Sequence, residues 1–121
     1  MTEPALTVDQ KIHRPGIVLL TVAGELDHHT APELAQALQK VPFAPGSALV
    51  INLSGLTYCD STGITVLVTT YHRAEAAGCS LSLAGLSREL TRIFHIIGLD
   101  QVFSVHPTAD DALATLSHGE Q

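Results

Sequence analysis

Apolar positions fall into blocks along this chain, and their period switches between strand-like and helix-like. Residues 5–12, "ALTVDQKI", alternate loosely between apolar and polar, and "RPG" breaks the pattern as a turn. Residues 17–24, "IVLLTVAG", are short, apolar and rich in β-branched side chains, which predicts a strand covered on both faces. Two strands joined by so short a turn predict a hairpin. In "GELDHHTAPELAQALQKV", Thr30 and Glu33 have capping-box spacing and Pro32 falls in the first turn. Leu34, Ala37, Leu38 and Val41 then recur at helical spacing, predicting a helix over 31–41. "PFAPGS" reads as a loop, and "ALVINL", 48–53, as a buried strand.

The next block carries two signals. Ile64, Thr65, Val66, Val68, Thr69 and Thr70 are β-branched and favour a strand. Ile64, Leu67, Val68 and Tyr71 have helical spacing, and the run ends in Ala-rich "RAEAAG", with Gly78 placed as a helix stop. Length and stop signal together predict a helix over 62–77. "CSLSLAG", 79–85, alternates as a strand. In "SRELTRIFHIIG", Leu86, Leu90, Ile93, Phe94 and Ile97 share one face, with Ser87 as cap and Gly98 as stop. Phe94 is expected in the core and His95 pointing outward. "QVFSV", 101–105, predicts a short edge strand. "TADDALATL", 108–116, predicts a last helix capped through Thr108 and Asp111, and the tail from 117 is expected to fray. The order is β β α β α β α β α. This is an α/β pattern: a small mixed sheet of about five strands with about four helices, parallel where strand and helix alternate. The 121 residues suit a single domain over 1–121, with an ordered core expected at about 5–117.

Composition narrows the function classes. A hydrophobic share of 45% is enough for a real core. Lys plus Arg number 6 against 12 Asp plus Glu, a formal net charge of -6, and the cations are scattered. Nucleic acid and anionic membranes are therefore excluded as main partners, since both need a basic surface. An acidic regulator that docks on another protein fits better. No apolar run approaches the ~20 residues of a membrane span, and "MTEPALTVDQ" lacks a signal-peptide layout, so the expected location is cytoplasmic. Cys59 and Cys79 have no C-x-x-C spacing and are expected to be buried free thiols.

One feature interrupts the apolar pattern: "CDSTG", 59–63, between a strand and a helix. Asp60 or Ser61 can cap that helix, and a cap is all that the local pattern strictly requires. The position also places a serine at a strand end of an α/β sheet, where functional groups gather. A phosphate there would meet a helix N-terminus. A hydrolase is disfavoured, because the G-x-S-x-G elbow is absent and no histidine is tied to Ser61 by a motif. A metal site is disfavoured because adjacent His28 and His29 lack ligand spacing. No phosphate-cradling nucleotide motif is present.

"GELDHHT" at 24–30 and "NLSGLTYCDSTGI" at 52–64 resemble the two signature stretches of the STAS family, in particular the bacterial anti-sigma factor antagonists. "GLDQVF" at 98–103 resembles that family's usual ending after its third helix. The resemblance covers nearly the whole chain and implies a STAS fold. It implies a phosphoprotein of the partner-switching kind found in transcription regulation, stress response and sporulation. The unphosphorylated form would bind an anti-sigma factor, itself an ATP-dependent serine kinase, and free a sigma factor. The implied phosphorylation site is Ser61, with Thr62 as second choice. The implied partner-binding surface is Asp27, His28, His29 and Thr30 beside Asp60, Ser61, Thr62 and Gly63. A PP2C-type phosphatase would reverse the modification. No cofactor is implied in this chain, no catalytic residue and no metal, and the expected state is a monomer or weak dimer. The alternative is a scaffold or small-ligand-binding module of the same fold in a stress-signalling assembly.

Overall fold

The computed structural model describes residues 5–119, with side chains described to residue 116. The chain opens with the hairpin of β1 (Leu6–Arg14) and β2 (Ile17–Leu26), antiparallel as predicted. It continues through α1 (Ala31–Gln39), β3 (Ala48–Cys59), α2 (Ser61–Ala77), β4 (Ser80–Ala84), α3 (Arg88–Ile96), a 3-10 turn (Leu99–Gln101), β5 (Ser104–His106) and α4 (Ala109–Gly119). The five strands form one sheet in the order β1-β2-β3-β4-β5, with β2, β3, β4 and β5 mutually parallel. Strand alternation divides the core. Leu20, Val22, Leu49, Ile51, Leu53 and Leu83 face one side with Leu34, Leu38, Leu67, Leu90 and Phe94 from α1, α2 and α3. Ile17, Ala48, Val50 and Ala84 face the other side, where Ala112 and Leu113 of α4 cover them. The uninterrupted apolar run at 48–53 follows from this, because it is buried from both sides.

The ambiguous block at 64–70 is helical. Thr65 Oγ1 donates to the Ser61 carbonyl (2.9 Å) and Thr70 Oγ1 to the Val66 carbonyl (2.8 Å). Both hydroxyls are thus satisfied inside the helix, which removes part of the objection to β-branched residues there. Gly78 closes α2 in the left-handed region, φ 74°. Ser87 and Thr108 act as caps as predicted, accepting from the Leu90 and Asp111 amides at 3.1 Å each. Phe94 is fully buried and His95 exposed.

Several expectations need correction. Thr30 does not cap α1 through its side chain. It is a buried link in the preceding loop, and α1 ends at Gln39, not residue 41. Strand β3 runs to Cys59, six residues past the predicted end, because "SGLTYC" pairs with β2 although its side chains are largely exposed. The fifth strand is 104–106 and not 101–105. Phe103 owes its apolar character to the core, where its ring lies 5.8 Å from Phe94 and 5.4 Å from Tyr71. Helix α4 continues through 117–119, where fraying was expected, and residues 120 and 121 lie outside the described residues. Cys79 is buried, but Cys59 is only partly so.

Candidate functional site

Parallel pairing brings the C-terminal ends of β2 and β3 to the same edge of the sheet. Their last matched pair is Leu26–Cys59, and the Asp60 amide donates to the Leu26 carbonyl at 3.1 Å. The two polar segments that leave these strands, 27–30 and 60–63, therefore start side by side.

The first segment is tied by its own side chains. Asp27 Oδ1 accepts from the His29 amide (2.9 Å) and the Thr30 amide (3.0 Å). Thr30 Oγ1 accepts from the Asp27 amide (2.9 Å) and donates to the Glu25 carbonyl (2.8 Å). The Asp27 carboxyl is held below its ordinary value, chiefly by the Thr30 amide. With Asp27 and Thr30 turned inward, His28 and His29 are the exposed residues of this loop, their rings 4.0 Å apart.

In the second segment Asp60, not Ser61, is the cap of α2. Its backbone is extended, and Oδ1 accepts from the Thr62 amide (2.9 Å) and the Gly63 amide (3.1 Å). Ser61 is then the first helical residue. It is exposed, and its hydroxyl has no hydrogen-bond partner among the described residues. Thr62 is half-buried. Gly63 is buried where α2 meets β2 and β3. A Cβ there would lie 2.6 Å from Leu26 Cγ and 3.0 Å from Cys59 Sγ, so only glycine permits this approach. The Cys59 thiol is pushed up to about 11, first by burial and then by the Asp60 charge.

The eight residues singled out in the sequence thus come to one edge of the sheet with unequal exposure. His28, His29 and Ser61 face solvent, Asp27, Asp60 and Thr62 are intermediate, and Thr30 and Gly63 are buried supports. Segments 24–33 and 57–63 contain Glu25, Asp27, Glu33 and Asp60 but no Lys or Arg. Sequence reasoning missed the β3 extension, which leaves Tyr58 53% exposed beside the site. The one available signal was an aromatic residue inside a polar segment. Among the described residues, no group of three or more His, Cys, Asp or Glu could hold a metal ion, and no helix is long and apolar enough to cross a membrane.

Fold and site together define a class: a small mixed-sheet α/β protein that presents a free hydroxyl at a capped helix start. The chain belongs to the STAS domain family, whose model matches residues 10–112. It is 39% identical over 89 residues to the anti-sigma-B factor antagonist of Bacillus subtilis, covering 73% of this chain and 80% of that protein. It is 32% identical over 117 residues to the anti-sigma-F factor antagonist RsfB of Mycobacterium tuberculosis, covering 95% and 93% of the two chains. The crystal structure of an anti-sigma factor antagonist from Mycobacterium paratuberculosis superposes with a TM-score of 0.76 at 33% identity, covering 97% of this chain and 99% of that one.

Proposed function

We propose that this chain is an anti-sigma factor antagonist, a regulatory protein without catalytic activity of its own, and that Ser61 is its switch. The observation that carries the proposal is the Ser61 hydroxyl, exposed and unpartnered on the first residue of a rigidly capped helix. The names of the relatives support the partner class. In this reading the unphosphorylated chain binds an anti-sigma factor that is also a serine kinase, and the kinase brings its own ATP. Phosphorylation adds about -1.5 to -2 charge at pH 7. That charge arrives between Asp60 and the acidic loop at 25–27, with no Lys or Arg in either segment to receive it. The Thr62 and Gly63 amides are already occupied by Asp60. The phosphate is thus left facing outward, so it acts by direct blocking of the partner rather than by refolding. A phosphatase, of the PP2C type expected from the family resemblance, resets the switch. Thr62, half-buried, is the poorer acceptor.

The test uses a purified anti-sigma factor kinase from the source genome. Wild type should gain one phosphate with ATP, mapped to Ser61 by mass spectrometry, and then dissociate. Ser61→Ala should bind within about threefold of wild type and no longer be released by ATP. Ser61→Asp should bind at least about tenfold more weakly, equivalent to ~1.4 kcal/mol. Phosphate on Thr62 in the wild type, or full release of Ser61→Ala by ATP, would overturn the assignment.

A further inference from the structure

The sheet has an opening beside the switch. Strand β3 pairs with β4 only as far as Asn52–Ala84, and Gly85 then passes close against Ser54 as the chain turns away. Beyond that point β3 continues to Cys59, paired with β2 on one side only. Residues 55–59, roughly 17 Å of strand, thus offer backbone donors and acceptors on the other side with no strand partner among the described residues. The start of α3 stands opposite. Between them lies a groove of about 140 Å³ lined by residues 56–59 of β3 and by Ser87, Glu89, Leu90 and Ile93. It combines aliphatic side chains with hydroxyls, a free peptide edge and one acidic side chain, and no Lys or Arg lines it.

We propose that an extended segment of the partner protein adds to the sheet along β3 residues 55–59, between β3 and α3. It would carry an aliphatic side chain toward Leu56 and Ile93 and a basic one toward Glu89. Main-chain bonding to a free strand edge supplies affinity, and the groove supplies specificity. Three observations select this occupant. A strand edge is complementary to extended backbone, not to a helix. The groove volume is several times the ~30 Å³ share of one water, which suits a single side chain and not a helical face. The carboxylate of Glu89, the one charged side chain lining the groove, favours a basic segment. The edge leads directly through Cys59 and Asp60 to Ser61, so a segment seated here delivers the partner to the switch. The identity of the partner rests on the function proposed above, whereas the strand-addition mode does not.

The two are separated by using a peptide probe first. A display library of random 12-residue peptides is selected on the full wild-type chain, and the winners are mapped by amide hydrogen exchange. Enriched peptides should pair aliphatic with basic residues and slow exchange at 55–59 by at least tenfold, leaving the β1 edge at 9–14 unchanged. Ile93→Arg, on the groove wall, should weaken them about tenfold or more, while Ile96→Arg on the exposed end of α3 should not. Protection confined to the β1 edge, or no enriched peptide that protects 55–59, would overturn the proposal. A peptide that protects 55–59 and competes with the anti-sigma factor kinase supports both readings. One that protects 55–59 in a chain the kinase does not bind supports strand addition and counts against the partner assignment.

Discussion

At the residue scale the site depends on carboxylates that bond backbone amides. Asp60→Ala removes the acceptor for two amides at the start of α2 and should cost about 1 kcal/mol, the usual loss for a helix cap, read by urea unfolding. Asp27 behaves similarly but with a pH signature. Its folded pKa lies below the ordinary 3.8, so its contribution is fully present above that value and is lost as pH falls through the folded pKa. The stability difference between wild type and Asp27→Asn should therefore be constant near neutrality and shift only in acid below 3.8. Cys59 gives the opposite case, a group kept neutral. With its pKa raised to about 11, about one thiol in a thousand is ionised at pH 8, so alkylation by iodoacetamide should be slow there and rise toward pH 11.

At the element scale the governing contact is the seating of α2 against the ends of β2 and β3. Gly63→Ala places a methyl against Leu26 and Cys59 and should cost roughly 1–3 kcal/mol by overpacking. Its effect on Ser61 phosphorylation rate should exceed that of an equally destabilising change in α4, which packs on the far face of the sheet. Much of this arrangement was legible in the sequence. The helix over 62–77 was readable because Leu67 and Tyr71 kept helical spacing and Gly78 supplied a stop, although the β-branched run argued otherwise. The polar segment at 59–63 was readable as a helix start. What stayed hidden required the third dimension. Thr30 and Glu33 have the spacing of a capping box, yet Thr30 is claimed by Glu25 and Asp27, a competition that local pattern does not reveal. The second half of β3 lacks apolar alternation because it pairs with one strand only and most of its side chains are exposed. Phe103 reads as a strand residue in the sequence because an apolar residue in a short segment looks the same whether it extends a sheet or plugs a core.

At the scale of the whole molecule, charge and length matter. The unmodified chain carries a formal -6, and one phosphate brings it to about -8 at pH 7. The phosphorylated form should thus run ahead on a native gel, and association of the unmodified form with a basic partner should slow as salt rises. The ladder between β2 and β3 also slips twice, between Thr21 and Ala23 and between Gly24 and Glu25, and each slip gives β3 one residue more than its neighbour. This makes the segment from 53 to 59 a ruler. It sets how far Ser61 stands from His28 and His29, and a change of one residue turns every following side chain to the opposite face. Adding a serine between Pro107 and Thr108 should leave kinase recognition intact, whereas adding one between Gly55 and Leu56 should abolish it. The fold therefore tolerates gain or loss of chain at its loops and forbids it on this strand, so divergence of the switch is confined to exchanging side chains at fixed length.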